Sequence, residues 1–207
     1  ISASHNNIGV RGVAPLANMI SVNIFVGGES TQDIADGITW AKNAGADVMS
    51  NSWGYTSCTA NFSNINNAIA DANANGRGGL GCVIVFASGN GYKSCVDFPA
   101  NNPNVIAVGA FANTGVRSAY SNYGPALDIM APSNNVGGPG AGVRTTDRMG
   151  GPGYSSGNYT STFGGTSSAC PVVAGVATLL LGYDASLTAA EVKNILYTTA
   201  IDMGASG

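Results

Sequence analysis

The hydrophobic positions of this chain follow two periods in turn. Short continuous apolar runs recur in "NMISVNIFV" (18–26), "CVIVFASGN" (82–90), "NVIAVGAF" (104–111) and "LDIMA" (127–131). Runs of this kind predict strands covered on both faces, as in a parallel sheet. "DVMSNSWG" (47–54) predicts one more strand. Between these runs the spacing becomes helical. In "STQDIADGITWAKNAGA" (30–46), Ile34, Ile38 and Trp40/Ala41 share a helix face, Ser30 or Thr31 can cap its start, and Gly45 fits its end. In "NFSNINNAIADANANG" (61–76), Ile65 and Ile69 share a face and Gly76 closes the helix. A Gly/Pro/Asn-rich loop (133–142) precedes a predicted hairpin from "VRTTD" to "YTSTF". Two helices finish the chain, and the second opens with a capping box, Thr188 with Glu191 three residues on. Strands alternating with helices, with no internal repeat and no linker, predict one layered α/β domain with a mostly parallel sheet.

Composition narrows the function. Of 207 residues 44% are hydrophobic, enough for one domain with a real core. Only 9% are charged, against about 25% in ordinary domains, and 30 are glycine. Tight turns, small-residue packing and a weakly charged surface follow. A net charge of −3 with eight scattered basic residues argues against a nucleic-acid surface. The longest apolar run, around residues 172–182, is too short for a membrane span. Four cysteines (Cys58, Cys82, Cys95, Cys170) fit a secreted protein and have no zinc spacing. The chain does not begin with Met, and it reads as a fragment or a processed chain.

The candidate chemistry lies in "GGTSSACP" (164–171) and "FASGN" (86–90). Ser167 stands at the mouth of a predicted helix, where free N–H groups and the helix dipole favour a developing oxyanion. Asn90, at the end of a buried strand, can add an amide donor. Ligands in such sheets bind beyond the carboxyl ends of the strands, and "SNSWG" (50–54) is a second such end. A serine nucleophile normally needs a base, most often histidine. The single histidine, His5, is at the far end of the sequence.

Taken in order, five segments resemble the catalytic domain of subtilisin-like serine endopeptidases, the subtilases. "GGTSSACPVVAG" is similar to that family's nucleophile motif, with Ser167 in the nucleophile's place. "FASGN" resembles the strand that ends in the oxyanion asparagine, here Asn90, and brings Ala87, Ser88 and Gly89 to the substrate. "SNSWG" resembles the strand that pairs with substrate backbone, through Ser52, Trp53 and Gly54. "DFPANNPNVIAVGAF" resembles the segment that follows the primary specificity pocket, and "NNIGVRGVAP" the stretch after the catalytic histidine's motif. The likeness covers nearly all of residues 1–203.

The resemblance implies a three-layer α/β sandwich, a mostly parallel sheet flanked by helices, with residues 1–207 forming one partial catalytic domain. It implies that the catalytic histidine and aspartate, and the family's last helix, lie outside these residues, so that this chain alone is nearly inactive. His5 then falls in a loop, away from the catalytic position. Asn6, Ile8 and Val10 match the family's calcium loop; the chemistry itself needs no cofactor. The implied partners are a protein or peptide substrate and a propeptide, and the implied location is extracellular. The sequons at Asn61 and Asn158 read as accidental. Cys58 and Cys95 leave adjacent strand ends and are expected to pair, with Cys82 and Cys170 as buried thiols. Asp97, placed by the resemblance at the floor of the specificity pocket, implies a preference for Arg or Lys. "SWG" followed by "ASGNG" leans to the kexin-like branch, although the acids of that branch after S-W-G are missing from "YTSCTA". The alternative for Asp97 is a turn cap before Phe98-Pro99. Two other functions compete. An α/β-hydrolase esterase needs G-x-S-x-G where this chain has T-S-S-A-C. A catalytically dead subtilase-like module would bind peptides without cutting them.

Overall fold

The computed structural model describes residues 1–25, 30–136 and 140–202. Four parallel strands, β1 (Val48–Asn51), β2 (Val83–Ala87), β3 (Ile106–Phe111) and β4 (Ile129–Pro132), lie side by side in sequence order. Successive side chains of a strand point to opposite faces, and the core divides accordingly. Ile84 and Phe86 join α1 (Thr31–Asn43) and α2 (Ser63–Asn75) in one cluster. Val83 and Val85 join α3 (Thr166–Tyr183) and α4 (Ala189–Thr199) in the other. These are the three expected layers. An antiparallel hairpin, β5 (Val143–Thr146) with β6 (Tyr159–Phe163), stands apart from the sheet.

The local signals operate as read. Ser30 caps α1 in a full capping box with Asp33, and that helix buries Ile34, Ala35, Ile38 and Ala41. Trp40 is 54% exposed, so Ala41 carries the apolar face at that turn. Ile65 and Ile69 of α2 have no exposed surface. Thr188 and Glu191 form the predicted box at the start of α4. In length and composition α3 could cross a membrane, but half of it is buried and it packs on all four strands as a core helix.

One expected strand is not formed. Residues 18–25 carry no ladder, and Val26 lies outside the described residues. A ladder needs a neighbour at about 4.8 Å. Here Val22 and Ile24 pack on the α1/α2 core, and a cleft of about 960 Å³ separates the segment from the open edge of β1.

Cys58 and Cys95 form the expected disulfide, with Cα atoms 6.0 Å apart. Cys82 and Cys170 are buried free thiols. Burial pushes the Cys82 thiol up and the Cys170 thiol up to about 11. A thiol reagent applied to the unreduced native protein should therefore label neither cysteine within the time that denaturant exposes both. Fast native labelling of Cys170 would show that the helix-sheet interface opens.

Candidate active site

Register brings the site together. Asn51 of β1 pairs with Phe86 of β2, so the segments 52–54 and 87–90 leave the sheet side by side. The first turn of α3 sits against both. Thr166, its first residue, is fully buried. Its N–H and its hydroxyl both donate to Asn90 Oδ1, at 2.8 and 2.9 Å, and its oxygen accepts from Gly89 N–H at 3.3 Å. With Oδ1 so held, Asn90 Nδ2 lies on the other side of the amide. Gly165 has φ 81°, and a Cβ built there would stand 3.3 Å from Asn90 Nδ2 and 3.6 Å from Ser167 N. No side chain fills that point because residue 165 is glycine. A side-chain amide and a first-turn backbone N–H, one of the helix's unpaired donors, thus flank one small space.

Pro171 explains how Ser167 is held. Proline has no N–H, so the carbonyl four residues back loses its helical partner. That carbonyl belongs to Ser167, and Ser52 Oγ donates to it at 2.9 Å. In return Ser167 Oγ reaches the Ser52 carbonyl at 3.4 Å, a long contact that leaves the hydroxyl weakly held. The turn before the helix is fixed by polar side chains. Gly165 N–H donates to Tyr120 Oη at 3.0 Å and to Asn134 Oδ1 at 3.3 Å, and Ser133 Oγ donates to the Gly165 carbonyl at 2.8 Å. Asn134 occupies the space that a side chain at residue 164 would need.

A recess of about 270 Å³ opens beside Ser167 and Asn90. Of the residues expected at the substrate, Ser52, Trp53, Gly54, Ala87, Gly89 and Asp97 line it. Trp53 also packs edge-on against Phe86, with centroids 5.1 Å apart, so it serves as wall and core together. Ser88 departs from the expectation. It is fully buried, outside the recess lining, and its hydroxyl donates to the Asn122 carbonyl at 3.4 Å. Alternation along an extended segment turns Ser88 away while its neighbours Ala87 and Gly89 face the recess.

Asp97 lines the recess, but not as a free carboxylate. Its Oδ1 is paired with Lys93 Nζ at 2.8 Å and its Oδ2 accepts from Asn122 Nδ2 at 3.0 Å. The carboxylate on which a preference for Arg or Lys would rest is already neutralised. Neither Lys93 nor Thr166 was marked as functional in the sequence. Lys93 had a legible signal, because Lys93 and Asp97 are four apart and of opposite charge. Thr166 had none, because its partners lie 76 residues away.

His5 is exposed and does not line the recess. Asn6 Oδ1 accepts from Ile8 N–H at 3.1 Å, an ordinary Asx turn. Asn6, Ile8 and Val10 offer one amide oxygen and main-chain carbonyls, and calcium takes six to eight oxygens. Among the described residues no group of three or more His, Cys, Asp or Glu could hold a metal. The residues present do not make a calcium site by themselves.

Comparison with known proteins identifies the family. The subtilase family model matches residues 1–207. The calcium-dependent protease of Trichormus variabilis is 41% identical over 221 residues, a match covering 95% of this chain and 33% of that protein. Subtilisin Savinase of Lederbergia lenta is 36% identical over 208 residues, covering 100% of this chain and 69% of that protein. The solved self-cleaved protease domain of PatA superposes with a TM-score of 0.78 at 28% identity, over 97% of this chain and 72% of that one. The chain thus spans a third of the first relative's length. It belongs to the subtilase family.

Thr166→Val keeps the shape of the side chain and removes its hydroxyl. Asn90 Oδ1 and Gly89 N–H each lose a partner, and stability should fall by about 1–3 kcal/mol. Denaturant melts check this, with Thr166→Ser expected to stay near the parent value.

Proposed function

We propose that this chain is the serine-bearing part of a subtilisin-like serine endopeptidase that cuts protein or peptide substrates outside the cell. The observation that carries the reading is the space beside Ser167 flanked by Asn90 Nδ2 and Ser167 N–H. Ser167 Oγ attacks the scissile carbonyl carbon and gives up its proton. The carbonyl oxygen becomes an oxyanion and accepts from those two donors, which are preset and need no reorganisation. Collapse of the tetrahedral species expels the amine, protonated by the proton that the base took from Ser167, and leaves an acyl-serine. Water then attacks the acyl carbon, giving its proton to the same base, and collapse returns the proton to Ser167 Oγ and frees the acid product. The substrate backbone lies along Ser52, Trp53 and Gly54, with one side chain in the recess.

The base comes from elsewhere. Among the described residues the acceptor that Ser167 Oγ reaches is the Ser52 main-chain carbonyl, which cannot take a proton at neutral pH, and His5 stands outside the recess. We assign the histidine and its orienting aspartate to a segment outside these 207 residues. The open edge of β1 and the apolar cleft beside it suit a further strand, and with that strand residues 1–207 complete one domain. Oxygen ligands from the same segment would be needed for calcium to bind at Asn6, Ile8 and Val10. No step of the chemistry uses that ion. The Cys58–Cys95 disulfide favours an oxidising, extracellular setting, and a self-cleaved structural neighbour favours a propeptide.

Peptide hydrolysis by the full-length protein should vanish with Ser167→Ala. Asn90→Ala should lower kcat about 10²–10³-fold, the magnitude established for removing such a donor from a subtilisin. The 207-residue chain alone should show little hydrolysis. Proteolysis that survives Ser167→Ala would overturn the assignment of the nucleophile. Efficient cutting by the isolated chain would overturn that of the outside base.

A further inference from the structure

Two charged side chains line the recess beside Ser167, Lys93 and Asp97. They form an ion pair, but an unequal one. The Asp97 side chain is 7% exposed and that of Lys93 is 33% exposed. Both carboxylate oxygens are engaged, one by Lys93 Nζ and the other by Asn122 Nδ2. The carboxylate also packs directly on Gly89, leaving no room for a side chain there. The ammonium has three hydrogens. One goes to Asp97 Oδ1 at 2.8 Å and one to the Thr56 carbonyl at 3.0 Å. Among the described residues the third has no partner.

The pair is also held in place before any ligand arrives. Asn122 is fully buried, and its side chain uses its whole capacity on this loop. Oδ1 accepts from Gly91 N–H and Lys93 N–H, both at 3.0 Å. Nδ2 donates to the Ser88 carbonyl at 3.1 Å and to Asp97. The backbone of Lys93 and the carboxylate that orients its head are therefore pinned by one residue from another part of the chain. A side chain entering the recess meets a fixed cation before it meets the anion behind it.

We propose that Lys93 is a specificity-determining residue, selecting substrates whose side chain in this recess carries an acceptor, Gln or Glu, over those carrying Arg or Lys. The inference rests on the reading of Ser167 as the nucleophile, since that makes the recess the seat of the residue before the cut. Attraction is a charge-assisted hydrogen bond to the third Nζ hydrogen. Rejection is the like charge that a basic side chain would bring against an ammonium already in place.

The test separates binding from catalysis. Full-length protein carrying Ser167→Ala is titrated by calorimetry with N-acetyl tetrapeptide amides that differ only in the last residue, Gln, Glu, Leu or Lys. A charge-assisted hydrogen bond predicts that Gln and Glu bind about tenfold tighter than Lys. Lys93→Met uncovers the carboxylate and should invert the order, with Lys ahead of Gln. Because that variant leaves a buried charge unpaired, the neutral double variant Lys93→Met/Asp97→Asn is measured beside it, and there Gln and Lys should bind alike. Lys bound as well as Gln by the unaltered recess, an order unchanged in the double variant, or no measurable binding of any peptide would overturn the proposal. A parallel kcat/KM panel with Ser167 intact keeps the two readings apart. Absence of Ser167-dependent hydrolysis overturns the nucleophile, while the binding order independently decides Lys93.

Discussion

Thr166 is a polar residue without exposed surface, and the placement of the site turns on how it is satisfied. A buried hydroxyl without partners is costly. Here the hydroxyl and the backbone N–H of the same residue converge on Asn90 Oδ1, and the Gly89 amide closes the set. The start of α3 cannot shift without breaking contacts to the end of β2. This fixes the distance between Ser167 on its helix and the Asn90 amide on its loop. It also decides which end of the Asn90 amide is used up internally and which remains for a ligand.

The other side of the Ser167 turn is secured just as firmly. Tyr120, Ser133 and Asn134 reach from the loops after β3 and β4 to bind both the N–H and the carbonyl of Gly165. Glycine is needed there twice over. At 164 the neighbouring space belongs to Asn134, and at 165 a side chain would enter the gap between the two donors. Pro171 adds a third tether by withholding its N–H, so that Ser52 binds the Ser167 carbonyl and joins the end of β1 to the helix. These contacts all hold main chain, so the turn before α3 is fixed without any ligand.

The small recess has the Lys93–Asp97 pair and the Ser167 turn along its lining. The larger cleft lies away from Ser167, between residues 16–25 and the edge of β1, and its lining is largely apolar. A sheet edge flanked by apolar side chains invites pairing.

The order and type of the elements were legible in the sequence, because a doubly covered strand and an amphipathic helix differ in period. Ser30 or Thr31 as a cap, and Thr188 with Glu191 as a capping box, marked helix starts through local contacts that a sequence displays directly; the structure chose Ser30, boxed with Asp33. Ile65 and Ile69 fell where their spacing put them. The segment at 18–25 shows the limit. Its composition suits a strand, yet a strand exists only with a hydrogen-bonded neighbour, and composition says nothing of the neighbour. The motifs named Ser167 and Asn90, but the contact between Asn90 and Thr166 spans 76 positions and arises from sheet register and the path of α3. Ser88 was read at the substrate and turns away from it, whereas Asp97 does line the recess, with its carboxylate paired to Lys93. A motif gives position along the chain, whereas the direction of a side chain and the charge that reaches it first are set by packing. Lys93 reaching Asp97, and Asn122 locking both, are decisions that only the tertiary structure could make.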